Sequence, residues 1–210
     1  MAFEIVVCIF KRARSTEQKA ERRSEILDAA ARRFEYATFD EIKLSSVAAD
    51  VGITKAALYR YFRNKETLFL ALFERAFEQL GNDSDKVDRN RLAESMCDIM
   101  LGVPLYARLS AILSIILEHN LSAVEARTFK LFVLRQLDVM AQKLADKSAY
   151  DVEYSSTKLL QIQQAMIGSW HMCHRSDVIA QVVKEEKLRP LDLDFETCFR
   201  DLVAIILQDA

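Results

Sequence analysis

The sequence predicts an all-α protein, with an N-terminal three-helix unit that contains a helix-turn-helix and a larger helical domain after it. Glycine occurs only four times and proline twice among the 210 residues, although 51% of the residues are hydrophobic. The apolar residues recur at spacings of three and four, which is typical of one face of a helix, and they do not alternate as in a strand. A chain of this length holds one large domain or two small ones.

The charged residues are unevenly distributed along the chain. Residues 11–80 contain 14 Lys/Arg against 11 Asp/Glu, whereas residues 81–210 contain 15 against 19. A modest basic excess of this kind is compatible with phosphate binding through a few placed cations. No apolar run reaches the roughly 18 residues that a membrane-spanning helix needs, so we expect a soluble, cytoplasmic protein with no membrane partner.

The cysteines and the N-terminus give no sign of export. Cys8, Cys97, Cys173 and Cys198 show no CxxC spacing, which favours reduced thiols over a disulfide framework. The apolar residues 1–10 precede the first basic residues, whereas a signal peptide has the opposite order. We expect residues 1–14 to be an N-terminal extension, which either packs on another surface or reflects a start site assigned too far upstream.

Capping signals place four helices in an N-terminal unit over residues 15–80. Ser15 and Gln18 form a capping-box pattern that predicts a helix to about residue 37. A short helix is predicted from Ser45 or Ser46 up to Gly52, which we expect to adopt the left-handed conformation that ends a helix. Thr54 is predicted to cap a helix over residues 55–62, and a further capped helix follows at residue 64.

Residues 86–210 are predicted to form the second domain. Pro104 suits the first turn of a helix, and Ser122 with Glu125 forms a second capping box. The predicted helices cover residues 87–101, 104–118, 123–146, 154–175, 177–187 and 193–208.

The stretch from Ser46 to Phe62 has the layout of a helix-turn-helix. Two short helices joined by a glycine turn allow the second helix to enter a major groove. The outward residues of that helix are predicted to be Lys55, Ala56, Ala57, Tyr59, Arg60 and Tyr61. The cations could reach guanine edges, and the small residues could meet thymine methyl groups. An ordinary solvated helix face is the alternative, but exposed tyrosines favour a nucleic-acid surface.

Residues 22–75 resemble the TetR (tetracycline repressor-like) family of transcriptional regulators. The residues that carry the resemblance are Ile26, Leu27, Ala29, Ala30, Phe34, Phe39, Val47, Ala48, Gly52, Ile53, Thr54, Lys55, Leu58, Tyr59, Tyr61, Phe62, Lys65, Glu66 and Leu68. The resemblance implies a dimer that binds a double-stranded DNA operator, without a cofactor. The chain departs from the family pattern at Thr38 and Lys43, which indicates a different first turn.

The same resemblance assigns DNA-binding roles to individual residues. Tyr59, Tyr61 and Lys65 would hold backbone phosphates, which set the register of the protein on DNA. Lys55, Ala56, Ala57 and Arg60 would face the bases, and Ser45 and Thr54 complete the predicted set. Because so few donors reach the base edges, we expect either thymine-rich contacts or specificity drawn partly from DNA shape.

In this family the C-terminal region binds a small molecule and builds the dimer, so both sites are sought there by pattern. The predicted pocket for an unknown small-molecule effector contains Met100, Tyr106, Phe129, Phe132, Met166, Trp170 and His174. Ordinary core packing is the alternative for each of these residues. The predicted homodimer interface contains Ile162, Phe195, Phe199, Leu202 and Ile206, on two helices that are apolar on two sides.

Other kinds of site find little support in the sequence. His171, Cys173 and His174 lie close together, but Cys173 points away from the histidines and no fourth ligand is evident, so we expect a pocket rim or surface and no metal. The sequence shows no nucleophile with a base, no paired carboxylates and no phosphate-binding glycine loop, so we expect no enzyme. The predicted function is a ligand-responsive repressor that acts as a homodimer on a palindromic operator. The alternative is an adapter of the same fold that binds protein partners.

Overall fold

The computed structural model describes residues 16–208, which form helices joined by turns without any strand. The α-helices are α1 Thr16–Tyr36, α2 Leu44–Asp50, α3 Lys55–Leu58, α4 Lys65–Asp83, α5 Leu92–Leu101, α6 Pro104–Ile112, α7 Ala123–Lys147, α8 Val152–Cys173, α9 Asp177–Val182 and α10 Phe195–Ile206. The predicted extension at residues 1–14 and the predicted Ser15 cap lie outside the described residues. The all-α prediction is confirmed.

The chain divides into two compact units at Leu68 and Phe69. The first unit contains α1, α2 and α3, and the second contains α5 to α10. Helix α4 begins in the first unit and ends in the second. Each unit has a hydrophobic core of its own.

The core of the first unit lies between α1, α2 and the segment around α3. Apolar side chains on one face of α1, namely Ile26, Ala29, Ala30 and Phe34, are all buried. Arg33 lies beside this face, is half-buried and forms two hydrogen bonds to the Asp50 carboxylate, at 2.5 and 2.8 Å. These bonds lower the pKa of Asp50, and they join α1 to the last residue of α2.

Gly52 ends α2 in the left-handed conformation that the sequence predicted. Its φ angle is +65°, its N–H donates to the Ala49 carbonyl at 3.1 Å, and the Ile53 N–H donates to the Ala48 carbonyl at 3.0 Å. These two bonds form a Schellman motif, which satisfies the last carbonyl groups of the helix. The motif turns the chain sharply enough for α3 to begin three residues later.

Replacing Gly52 with alanine is expected to destabilise the protein by about 1 to 2 kcal/mol, because a Cβ atom disfavours the left-handed conformation. The space around the residue is open, so steric contact adds nothing to this cost. Urea denaturation followed by circular dichroism would measure the change. Gly52→Asn is the matched control and should cost less, because asparagine tolerates positive φ. Equal costs for both variants would contradict the backbone explanation.

Several predicted boundaries in the second unit are wrong by up to six residues. Helix α5 begins at Leu92 and not at residue 87, because the Asp88 side chain accepts a hydrogen bond from the Asn90 N–H at 2.9 Å and starts a 3₁₀ turn. Helix α6 changes to a π-helical turn after Ile112, and α9 ends at Val182. The Asp194 side chain caps α10 and sets its first residue at Phe195.

Two other predictions in this unit are confirmed. Pro104 is in the first turn of α6, where its missing N–H leaves no hydrogen bond unmade. The Ser122–Glu125 capping box is formed in both directions and begins α7.

Aromatic rings fill the centre of the second unit. The Phe73 ring lies 5.8 Å from Phe77, 5.2 Å from Tyr106 and 5.7 Å from Phe129, measured between ring centroids. Phe77 also meets Phe132 at 6.3 Å. Helices α4, α6 and α7 are therefore held together by one aromatic cluster.

Helices α8 and α10 pack against each other in antiparallel orientation. Near the beginning of α8, the Lys158 ammonium donates to the Ile206 carbonyl at the end of α10, at 2.6 Å. At the other end of α8, the Trp170 ring meets Phe195, the first residue of α10, at 5.3 Å. The pairing brings the last turn of α8 beside the first turn of α10.

No single helix within residues 16–208 is long and apolar enough to cross a membrane. The helical stretches Arg89–Leu101 and Pro104–Leu117 reach that length and composition only together, and they are bent by 76° against each other. Gly102 lies at the bend, where a Cβ atom would come within 2.9 Å of the Asp98 carbonyl oxygen.

Candidate nucleic-acid interface

Thr54 begins the short helix α3 as predicted. Its side-chain oxygen accepts a hydrogen bond from the Ala57 N–H at 3.1 Å. The predicted extent of this helix, residues 55–62, is too long, because α3 ends at Leu58. The Arg60 and Tyr61 N–H groups donate three residues back, to the carbonyls of Ala57 and Leu58, so the backbone tightens into turns.

The next helix cap explains why α3 is short. The Asn64 side chain accepts from the Thr67 N–H at 2.8 Å, and the Asn64 N–H donates to the Thr67 hydroxyl at 3.2 Å. These reciprocal bonds fix the start of α4 at Lys65, so the chain must leave the helical conformation before Asn64. The predicted cap at Asn64 is therefore confirmed, and it limits the helix before it.

The segment from α3 to Phe62 has a buried side and an exposed side. Leu58 and Phe62 are buried in the core, with exposed fractions of 0% and 4%. The side chains of Lys55, Ala56, Tyr59 and Arg60 are exposed, and those of Ala57 and Tyr61 are half-buried. Two anchoring apolar residues thus hold a short surface that combines two cations, two phenols and two small side chains.

Cations lie over aromatic rings on both sides of this segment. The Lys55 ammonium is 5.7 Å from the centroid of the Tyr59 ring, and the Arg23 guanidinium of α1 is 5.1 Å from that of Phe62. Such contacts are weakly attractive at exposed sites. They orient Lys55 along the surface of α3, and they tie α1 to the end of the segment.

The beginning of α2 is less regular. Ser45 is exposed in its first turn, and Lys43 precedes the helix without a side-chain cap. Thr38 donates its N–H and its hydroxyl to the Glu41 carboxylate, both at 2.8 Å, and these bonds lower the pKa of Glu41. Thr38 and Lys43 are two of the positions that depart from the family pattern, a further departure being the lack of a polar residue or glycine near Ala56 and Ala57, and here the turn is held by Thr38 and Glu41.

Lys65 holds the turn between α1 and α2 from the first position of α4. Its ammonium group donates to the carbonyls of Phe39 at 2.6 Å, Ile42 at 3.2 Å and Asp40 at 3.5 Å. The same group lies 4.1 Å from the centroid of the Phe39 ring. An ammonium has three N–H donors, and three carbonyl acceptors are available here. The phosphate contact assigned to Lys65 stays a prediction, and the position adds a structural role that the sequence pattern did not indicate.

The helix dipole could have signalled this role. A cation in the first turn of a helix is unfavourable beside the positive end of the dipole, so it needs a specific acceptor nearby. Lys65 is such a cation.

The predicted effector-binding residues fall into separate clusters. Tyr106, Phe129 and Phe132 belong to the aromatic cluster around Phe73, whereas the Trp170 ring stacks on His174 with centroids 3.6 Å apart. Met100 and Met166 are buried. A groove of about 380 Å³ in this unit has other lining residues, namely Arg75, Ala76, Glu78, Gln79, Asn82, Val103 and Leu105. None of the predicted effector-binding residues lines this groove.

One polar contact lies inside the apolar core of the second unit. The Tyr106 hydroxyl donates to the Gln163 side-chain oxygen at 2.6 Å, and burial raises the pKa of Tyr106. Gln163 sits in α8 among other glutamines, so nothing in the sequence distinguished it. A buried tyrosine and a half-buried glutamine provide polar groups that could orient a small molecule in an apolar environment.

Two of the predicted interface residues lie in the core of the protomer. Ile162 and Phe199 are each 0% exposed, because the antiparallel pairing of α8 and α10 turns these side chains inward. The prediction that these two residues lie in the dimer interface is wrong, because both belong to the core of the protomer. Leu202 is 40% exposed, and Phe195 and Ile206 are half-buried. The outer faces of the two helices instead present Leu160 and Ile205, exposed by 51% and 61%.

His171 and His174 are both engaged with backbone carbonyls. The His171 Nε2–H donates to the Ala111 carbonyl at 3.0 Å, and the His174 Nδ1–H donates to the Trp170 carbonyl at 3.1 Å. Within the part of the chain that the structure describes, no three or more His, Cys, Asp or Glu side chains group in a way that could hold a metal ion. Cys173 instead faces Cys198 of α10.

Both units match known protein families. Residues 26–72 match the family described as bacterial regulatory proteins, tetR family, and residues 66–208 match the tetracyclin repressor-like, C-terminal domain. Curated relatives include the nucleoid occlusion factor SlmA of Idiomarina loihiensis, 43% identical over 58 residues, which are 28% of this chain and 30% of that protein. The HTH-type transcriptional regulator AcrR of Shigella flexneri is 36% identical over 70 residues, 33% of each chain. The chain thus spans about a third of the length of these relatives.

Solved structures share the fold over most of the chain. A transcriptional regulator from Cytophaga hutchinsonii has a TM-score of 0.58 at 19% identity and covers 88% of this chain and 96% of its own. A tetR-family regulator from Streptomyces coelicolor has a TM-score of 0.56 at 16% identity, with 90% of both chains covered. Members of this family are DNA-binding regulators and not enzymes. Because the family match to the second unit alone covers more than half of the residues, the chain belongs to the TetR family of transcriptional regulators.

Proposed function

We propose that the protein is a ligand-responsive repressor that acts in the cytoplasm as a homodimer on a palindromic operator. The observation that carries the proposal is the surface around α3, where Lys55 and Arg60 are exposed and Leu58 and Phe62 are buried beneath them. A short segment anchored in this way can approach base pairs closely. Membership of the TetR family supports the same conclusion.

The proposed contacts divide into base readout and phosphate binding. Lys55 and Arg60 reach base edges, where arginine pairs well with guanine. Ala56 and Ala57 leave space for thymine methyl groups. The phenol groups of Tyr59 and Tyr61, together with the Lys65 ammonium, bind backbone phosphates, and the hydroxyls of Ser45 and Thr54 complete the proposed DNA-binding set. Thr54 also caps α3, so its replacement would affect both DNA binding and helix formation.

The proposed dimer uses the outer faces of α8 and α10. Leu160, Leu202 and Ile205 are exposed apolar residues on this antiparallel helix pair. In a two-fold dimer the same face meets itself, so four helices would bury these side chains together. Such an arrangement would place two recognition segments about 34 to 36 Å apart, one turn of DNA.

The proposed effector site lies in the second unit. The partly buried Tyr106–Gln163 hydrogen bond offers polar groups beside an apolar core in which Met100 and Met166 are buried. An effector that binds one dimer geometry better than the other shifts the population towards it. When that geometry no longer matches successive major grooves, the operator is released.

The first experiment selects DNA from a pool of random duplexes with the full-length protein across a series of salt concentrations. The Lys55→Ala/Arg60→Ala variant is selected in parallel. We expect wild-type protein to enrich a palindromic site and the variant to lose sequence preference while it keeps nonspecific binding. Circular dichroism of the variant would confirm that it remains folded.

The result also separates the regulator from the adapter alternative. If wild-type protein enriches no sequence at any salt concentration, the operator proposal fails and an adapter that binds protein partners is favoured. If the variant enriches the same palindrome as the wild type, the protein reads DNA with residues other than Lys55 and Arg60.

A further inference from the structure

A pair of thiols lies between α8 and α10. Cys173 is the last residue of α8, and Cys198 is in the first turn of α10. The antiparallel packing of the two helices places the end of α8 beside the start of α10, where Trp170 and His174 meet Phe195 at 5.3 and 5.6 Å, and the Cys173 and Cys198 side chains lie near enough to interact. Their separation in sequence gave no sign of this contact.

Both thiols are reachable from solvent. Cys173 and Cys198 are half-buried, whereas Cys97 is buried and its pKa is raised to about 11 by that burial. A disulfide bond is about 2.05 Å long, so its formation would draw the two neighbouring side chains together across the α8–α10 packing. Cys173 and Cys198 are therefore positioned to form a disulfide bond. The buried Cys97 serves as a thiol in the same protein that should not react.

We infer that Cys173 and Cys198 form a redox modification site, at which a hydroperoxide converts the two thiols into an intrachain disulfide. One thiolate attacks the O–O bond, forms a sulfenic acid and releases water or an alcohol. The second thiolate attacks the sulfenic sulfur, the S–S bond forms, and the hydroxyl group leaves as water. The two sulfurs lose two electrons, and the peroxide gains them.

Charges around Cys173 determine how readily it reacts. Burial is the main cause that raises the pKa of Cys173, and Cys198 and Asp194 act in the same direction. Arg175 opposes them, and its guanidinium is fixed by the Met172 carbonyl at 2.9 Å and the Asp192 carboxylate at 3.4 Å. The thiolate is the reactive form, and a raised pKa keeps the thiolate fraction of Cys173 small at neutral pH. We therefore expect the pair to be oxidised slowly at neutral pH and only by sustained exposure to the oxidant.

The disulfide would join the end of α8 to α10 across the α9 segment. It would close a loop of about 25 residues, which restricts the unfolded chain. For a chain of this size the thermal midpoint should rise by about 5 to 10 °C. A reversible bond of this kind is rare in cytoplasmic proteins except where it serves redox sensing.

The test treats full-length protein with increasing hydrogen peroxide at pH 8.5, blocks the remaining thiols by alkylation and digests the protein with trypsin. Cys173 lies in the tryptic peptide 159–175, and Cys198 lies in the peptide 188–200. We expect these two peptides to be joined after oxidation and to separate on treatment with dithiothreitol. Cys173→Ser and Cys198→Ser are the matched variants, in which neither the joined peptide nor the rise in thermal midpoint should occur.

Other products would overturn the inference. These are sulfinic acid at Cys173 without a joined peptide, a disulfide to Cys8 or between two chains, or free thiols at both positions under all conditions. The wild-type peptide map decides the matter even if a serine variant folds poorly. The peptide map does not involve DNA. A negative result would therefore overturn the disulfide inference without bearing on the proposed function.

Discussion

Arg60→Glu is expected to weaken binding to the selected operator by about 100-fold or more at ~0.15 M salt, because it removes the proposed base contact and adds a charge that DNA repels. A good arginine–guanine pair contributes about 1 to 3 kcal/mol of discrimination, and repulsion adds to that loss. Arg60 is exposed beyond the buried Leu58 and Phe62, so the change should leave the fold intact. Fluorescence anisotropy with a labelled duplex would give both dissociation constants.

The control for this variant has the same change in net charge. Lys187→Glu replaces an exposed lysine of the second unit and should change operator binding by less than about threefold at this salt concentration, where distant charges are screened. An equal loss in both variants would mean that net charge alone controls binding. Unchanged binding of the Arg60 variant would remove this residue from the proposed base-reading surface.

Phe73→Ala is expected to destabilise the second unit by about 3 to 5 kcal/mol, because it deletes the ring at the centre of the aromatic cluster and leaves a cavity. Phe73 is 2% exposed and contacts Phe77, Tyr106 and Phe129. The thermal midpoint should fall by roughly 6 to 20 °C for a chain of this size. The single tryptophan, Trp170, lies in the same unit, so its fluorescence reports unfolding there.

Leu131→Ala provides the comparison for the core substitution. Leu131 is 41% exposed on α7, so its truncation removes little buried surface and should change stability by about 0.5 kcal/mol or less. A small effect of Phe73→Ala would show that the neighbouring rings collapse into the space. A large effect of Leu131→Ala would show that this face of α7 is covered in solution.

Local chemistry explains which parts of the fold the sequence could predict. Thr54, Asn64 and the Ser122–Glu125 pair each bond to backbone groups within three residues, so their effect is visible in a short stretch of sequence. Gly52 is predictable for the same reason, because left-handed backbone strongly favours glycine. The end of α3 was harder to predict from the sequence, because it depends on competition between this helix and the Asn64 cap of the helix that follows.

Contacts between distant residues explain what the sequence could not predict. Ile162 and Phe199 have the spacing of an outer apolar stripe, but which stripe faces inward depends on how α8 packs against α10. The predicted effector residues share a composition, and only tertiary packing assigns them to the Phe73 cluster or to the Trp170–His174 stack. The exposed segment proposed to face DNA was easier to predict, because buried anchors and exposed residues lie within one short helix and turn.

The hydrogen bonds of Lys65 affect how a salt titration of DNA binding should be interpreted. When a lysine or arginine neutralises a phosphate, the counterion that had condensed there is released, and each such contact adds about 0.9 to the logarithmic salt slope. Lys65 directs its donors to the carbonyls of Phe39, Asp40 and Ile42. If Lys65 keeps these bonds on DNA, the measured slope will lack its contribution of about 0.9, whereas a slope that includes this contribution would show that its ammonium turns to a phosphate.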